Sequence, residues 1–181
     1  YAATKRSNEL IAHSYSSLFR LETIGLRFFT VYGPWGRPDM ALYKFVRNII
    51  NKKPIEIYNY GNHKRDFTFI DDIISGIEPL IKSKKIFKKK PKNLKPHTSI
   101  FPFRIFNIGN STSVKLMDYI KIIEKNLGIV AKKKYLPMQK GDIEKTLSDT
   151  KKLKNQVNFK SKTSAKVGIK KFIDWYKEYY L

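Results

Sequence analysis

Short β-branched and aromatic runs alternate along this chain with longer stretches of helical apolar spacing, and that alternation restricts it to an α/β fold. Thr23 to Thr30 is apolar, β-branched and aromatic, and reads as a buried strand. Ile55 to Tyr58, Arg65 to Phe69 and Phe103 to Ile108 read as further strands, and Ile129 to Leu136 as a strand-like run. In Ala2 to about Arg20, Leu10, Ile11, Tyr15, Leu18 and Phe19 recur at helical spacing. Helices are also expected over Met40 to Asn51 and over Asp71 to Lys82, the latter N-capped by Asp71 or Asp72. Gly109-Asn110-Ser111 turns the chain into a helix from about Ser113 to Leu127. A terminal helix over Thr163 to Tyr179 is expected to bury Val167, Phe172, Ile173 and Tyr176. Gly33-Pro34-Trp35-Gly36-Arg37-Pro38 continues neither kind of element and must be a loop. No internal repeat is present.

The 181 residues suffice for a sizeable core, and 41% hydrophobic and 14% aromatic content excludes a disordered chain. With no cysteine there are no disulfides and no thiolate metal sites, which suits a cytoplasmic protein. His13, His63 and His97 have no mutual spacing of metal ligands, so no metal is expected. No apolar run reaches the ~18 residues of a membrane-spanning helix. Thirty-seven basic residues against 15 acidic ones give a net charge of +22. The run KSKKIFKKKPKNLK is the densest part, and no acidic residue lies between Glu78 and Asp118. Lysines grip phosphates without reading sequence, whereas base readers favour arginine, so no specific nucleic-acid partner is expected. A basic nucleic-acid-binding module is the alternative from another class. Residues 83–102, with Pro91, Pro96 and Pro102, read as a solvated basic loop or insertion.

The chain begins YAATK, which places Tyr1 and Lys5 one helical turn apart on one face. A free phenol is a poor proton carrier at neutral pH, and an ammonium beside it stabilises the phenolate. Such a pair can exchange a proton with a substrate hydroxyl during hydride transfer. Three further blocks follow in order: RFFTVYGPWGRPDMA over residues 27–41, YNYGNHKRDFTFIDD over 58–72 and FNIGNSTSVKLMD over 106–118. With YAATKRSNE in front, the chain resembles the extended short-chain dehydrogenase/reductase family, and is most similar to its UDP-glucuronate 4-epimerases. The likeness covers nearly the whole chain and is least over residues 82–102.

The resemblance implies bound NAD, a UDP-sugar substrate and a homodimer. It also implies the later strands and helices of a Rossmann-type parallel sheet, over 1–33, 65–82 and 103–109. Residues 34–64 and 110–181 would then form a small nucleotide-sugar-binding unit. Members of the family open with a glycine-rich turn for the dinucleotide pyrophosphate. This chain has neither G-x-x-G-x-x-G nor G-x-G-x-x-G, and the family's upstream catalytic Ser or Thr is also missing. The expectation is a C-terminal epimerase half, inactive by itself, that starts at the catalytic tyrosine. By resemblance Tyr1 is the catalytic base, Lys5 assists it and bonds the nicotinamide ribose, and Phe28 borders the cofactor. Thr30, after Phe28 and Phe29, would meet the sugar carboxylate. Arg65 would hold the pyrophosphate, Arg37 would close over the sugar or phosphates, and Asp142 would accept from the ribose. Related enzymes often carry arginine where Gln139 stands, so the phosphate grip there is expected to be weaker. Tyr58-Asn59-Tyr60 borders the uracil or merely packs. Asp66, Asp71 and Asp72 are expected in caps and ion pairs. A nucleotide-sugar 4,6-dehydratase is the alternative within the family, and GPWGRPDMA favours the epimerase.

Overall fold

The computed structural model describes residues 1–83, 85–88, 93 and 98–181. Helix α1 spans Ala2–Phe19 and ends where Arg20 takes a left-handed conformation. Strands β1 (Thr23–Phe28) and β2 (Thr30–Tyr32) follow. Next come α2 (Ala41–Ile50), β3 (Ile55–Ile57), a 3-10 turn over Tyr58–Gly61, β4 (Lys64–Phe69) and α3 (Ile70–Lys82). The rest comprises β5 (Phe103–Ile108), β6 (Ser113–Lys115), α4 (Leu116–Leu127), β7 (Lys133–Tyr135), α5 (Lys151–Val157) and α6 (Ala165–Tyr180).

The α/β alternation read from the sequence is present, and most of its strand pairing is parallel. β1 runs parallel to β5, with Thr23 beside Phe103 and Phe28 beside Ile108. β2 runs parallel to β4, with Thr30 beside Phe67, and β4 pairs antiparallel with β6. β3 and β7 form a third, parallel pair. The single buried strand expected over Thr23 to Thr30 is therefore corrected. β1 ends at Phe28, which is exposed, and β2 crosses to a different partner. Phe29 bridges the change of partner by donating its N–H to the Ile108 carbonyl at 3.3 Å.

Two apolar clusters hold these layers together. One gathers α2, α4 and α6 around Phe67 and Phe69, and includes Val46, Ile49, Tyr119, Ile120, Ile169 and Phe172. The other packs Ile73, Leu80, Phe106, Ile108, Leu153 and Phe159 between α3, β5 and α5. Ile86 is buried in this second cluster, so part of the 83–102 stretch expected to be solvated is core. Pro91, Pro96 and His97 lie outside the described residues.

The structure also shows which face of α1 is covered, and corrects three further expectations. In α1 the sheet-facing side is made of Ala12, His13 and Ser16, with the His13 ring edge-on to Phe103 at 5.0 Å. Leu10, Ile11, Tyr15, Leu18 and Phe19 face outward. Val167 is 49% exposed, while Phe172, Ile173 and Tyr176 of the same helix are buried. Ser113 begins a strand rather than a helix, and α4 starts three residues later. Neither Asp71 nor Asp72 caps α3, whose N-cap is Phe69. Asp71 instead reaches Lys171 at 3.5 Å. Asp72 accepts from the Ser161 hydroxyl at 2.6 Å and from the Thr163 N–H at 2.9 Å, tying α3 to the segment before α6.

Asp66 joins three segments in the same way. Its fully buried carboxylate accepts from the N–H groups of Asn110 (2.8 Å), Ser111 (3.0 Å) and Ser148 (2.9 Å), and from the hydroxyls of Thr68 and Ser148. Asp66→Ala would strand three backbone donors. Each stranded donor costs at least about 1 kcal/mol, so the expected loss of stability is about 3 kcal/mol or more. Urea unfolding of the chain followed by circular dichroism measures it, and a loss below 1 kcal/mol would show that water replaces the carboxylate.

Candidate active site

The first turn of α1 brings Tyr1 and Lys5 together as their spacing requires. The Lys5 N–H donates to the Tyr1 carbonyl at 3.0 Å, and Lys5 Nζ lies 5.7 Å from the centre of the Tyr1 ring. The ring is 93% exposed, so its hydroxyl is open to a reactant. Tyr1, Lys5, Phe28, Phe29, Trp35 and Arg37 line one open cavity of about 1040 Å³. Four of the seven residues singled out from the sequence thus share a single cleft at the end of β1, where parallel sheets place ligands.

Glu9 fixes the geometry of this cleft. It accepts from Arg27 through two bonds of 2.6 and 2.8 Å, and also from Arg6. The Arg27 hydrogen bonds hold the Glu9 carboxyl below the ordinary carboxylate range. This fork spans α1 and β1, so it sets the first turn of α1 against Phe28. Sequence reasoning passed over it, since nothing in the separation of residues 9 and 27 signals contact.

Arg37 lies in the loop between β2 and α2 and is exposed. It donates to Asp39 at 2.9 Å. The loop begins at Gly33, where a Cβ would meet the Ile70 side chain at 2.5 Å, so only glycine fits. Thr30 is half-buried at the start of β2 and does not line the cleft.

Arg65 and Asp142 form a second group. Arg65 Nη2 donates to Asp142 Oδ1 at 2.9 Å, and Nη1 donates to the Glu144 carbonyl at 2.9 Å. Buried His63 stands behind them, with Nε2 3.3 Å from Asp142 Oδ2 but poorly aligned for a hydrogen bond. Burial, and then the Arg65 charge, push the His63 imidazole below its ordinary range and keep it neutral. The sequence reading weighed His63 only as a metal ligand. Its neighbours are 2 and 79 residues away, so no local pattern marks it. Tyr58 and Gln139 line a smaller cavity of about 380 Å³ together with Glu56 and Lys134. Tyr60 is exposed, and Asn59 and Tyr60 both have positive φ.

These residues fit one end of a nicotinamide dinucleotide. An exposed phenol, a lysine and a phenyl ring on one cleft suit the nicotinamide ribose. The pyrophosphate end needs a glycine-rich turn ahead of a helix, and the sequence contains none.

The fold and cleft define an α/β protein with a Tyr/Lys pair at the end of a parallel strand. Residues 1–108, more than half of the chain, match the NAD dependent epimerase/dehydratase family, and the chain belongs to that family. It is 48% identical over 182 residues to Protein CapI of Staphylococcus aureus, covering 99% of this chain and 54% of that protein. It is 43% identical to a probable UDP-glucuronate 4-epimerase of Rhizobium meliloti, covering 99% of this chain and 54% of the relative. The UDP-glucuronic acid 4-epimerase of Bacillus cereus, solved with UDP-glucuronic acid and NAD, superposes with a TM-score of 0.85 at 31% identity. That match covers 98% of this chain and 52% of the solved one. The chain spans about half the length of the curated relatives it matches.

Proposed function

We propose that this chain, joined to a glycine-rich nucleotide-binding half, interconverts UDP-glucuronate and UDP-galacturonate through a 4-keto sugar. The observation that carries the reading is the single cleft shared by Tyr1, Lys5, Phe28 and Arg37. Its likeness to UDP-glucuronate 4-epimerases supports the choice of sugar.

Tyr1 Oη takes the proton from the sugar C4 hydroxyl and later returns it, while the Lys5 ammonium stabilises the phenolate. NAD, when bound, supplies the hydride acceptor and donor at C4. Arg37 holds the sugar with its carboxylate, Arg65 holds the pyrophosphate and Asp142 the ribose. The high positive charge draws in an anionic nucleotide sugar. Within this reading, 1–33, 65–82 and 103–109 belong to the nucleotide-binding sheet, and 34–64 and 110–181 form the sugar-binding unit. The two apolar clusters cross these boundaries, since Phe67 packs with α2 and Leu153 packs with β5. The outward apolar stripe of α1 supports a homodimer. A cytoplasmic role in making polysaccharide precursors fits a UDP-sugar enzyme, and no helix among the described residues is long and apolar enough to cross a membrane.

The test joins this chain to the glycine-rich half of the Bacillus cereus enzyme and follows UDP-glucuronate by proton NMR. UDP-galacturonate is expected from the joined protein, and no turnover from the chain alone. Release of a 4-keto-6-deoxy sugar would move the protein to the dehydratases.

A further inference from the structure

We propose that Trp35 is a positioning residue, clasped by Trp175 and Tyr179 of α6, that holds the Arg37 loop over the cleft; this rests on the nucleotide-sugar reading of that cleft.

Trp35 combines two features that a loop tryptophan rarely carries together. Its backbone is left-handed, with φ of 61°, a conformation that a bulky side chain adopts only when its surroundings hold it there. Its side chain is also 71% exposed, so burial in a core does not hold it. What does hold it is aromatic. The Tyr179 ring lies edge-on at 4.8 Å, and the Trp175 ring lies tilted at 5.3 Å. Trp175 and Tyr179 are one helical turn apart and stack on each other at 5.9 Å with 17° between their planes. They form a rigid platform. Trp175 leans on Phe172 at 5.4 Å, and Phe172 is buried in the first apolar cluster. A continuous line of rings therefore joins the core to the loop.

Among the described residues, the hydrogen bonds and ion pair of the loop are local. Gly36 N–H donates to the Gly33 carbonyl at 3.1 Å, and Met40 N–H to the Arg37 carbonyl at 3.1 Å. The Arg37–Asp39 pair is exposed on both sides, where ion pairs contribute little. These contacts shape the loop but do not fix it to the body. Arg37 is two residues from Trp35, and both line the cleft, so a loop anchored through Trp35 presents the guanidinium in one place. The C-terminal helix thereby sets how well the site holds the sugar, at a distance from the residues that hold the nucleotide.

The chain has only two tryptophans, so in Trp175→Phe the emission comes from Trp35 alone. In that background Tyr179→Ala is compared with Tyr179→Phe and with Tyr179 intact. UDP and UDP-glucuronate are titrated by calorimetry into the chain joined to the glycine-rich half, and Trp35 is probed by acrylamide quenching in the chain alone. Tyr179→Ala is expected to weaken UDP-glucuronate up to about tenfold, the scale of a lost aromatic pair, and to leave UDP unchanged. Trp35 becomes more quenchable, and Tyr179→Phe restores both readings. Unchanged UDP-glucuronate affinity overturns the proposal, as does an equal loss for UDP, which would mean that Tyr179 only supports the fold. If neither UDP nor UDP-glucuronate binds the protein joined to its glycine-rich half, the nucleotide-sugar reading fails and the role assigned to Trp35 falls with it. Quenching would then still show whether the clasp itself exists.

Discussion

Tyr1→Phe, in the chain joined to a glycine-rich half, should lower kcat about 10²–10⁴-fold, the usual contribution of a positioned general base. UDP-glucuronate affinity should stay within about threefold, because the phenol acts in the transition state rather than in ground-state binding. The geometry behind this is the exposed Tyr1 ring with Lys5 Nζ 5.7 Å from its centre. Removing the hydroxyl leaves the ring, its helix position and the Glu9–Arg27 fork in place. Single-turnover kinetics with UDP-glucuronate measure the loss. An equal loss of binding would make Tyr1 a structural residue, and unchanged turnover would move the base elsewhere.

In the same joined protein, Arg65→Leu should weaken both UDP and UDP-glucuronate by about 10²-fold, with kcat at saturation changed less than threefold. A guanidinium bonded to a phosphate contributes more than a neutral donor, and its planar fork is what a pyrophosphate needs. Arg65 is held ready for this by Asp142 at 2.9 Å and the Glu144 carbonyl at 2.9 Å. Arg65→Lys should recover only part of the loss, since an ammonium cannot bond two oxygens in the same plane. Calorimetry with UDP separates the two explanations. If UDP binds Arg65→Leu as it binds the parent chain, Arg65 only fastens the 142–144 segment.

How much could be read from the chain varied with how local each feature is. The strands Ile55–Ile57, Lys64–Phe69 and Phe103–Ile108 were legible because β-branched and aromatic runs are local signals. The helix α5 was not, because two apolar residues in seven, Leu153 and Val157, are too few to establish a period. Helical spacing was correct for α1 but silent on burial, since periodicity finds a face without saying what covers it. The acidic pair in the first turn of α3 had the composition of a cap, yet Asp72 serves residues 161–163, and no local rule reports a partner 89 residues away.

The sequence by itself determined the α/β class, the Tyr1/Lys5 pair and the motif order that marks the family, because each rests on short spacings or ordered blocks. Only the tertiary structure decided that Phe28 and Arg37 share a cleft with that pair, and that His63 stands behind Asp142. It also decided that Trp35 rests on the last turns of the chain. These are contacts between segments far apart in sequence. They are set by parallel pairing and by packing against two cores, and neither leaves a trace in local composition.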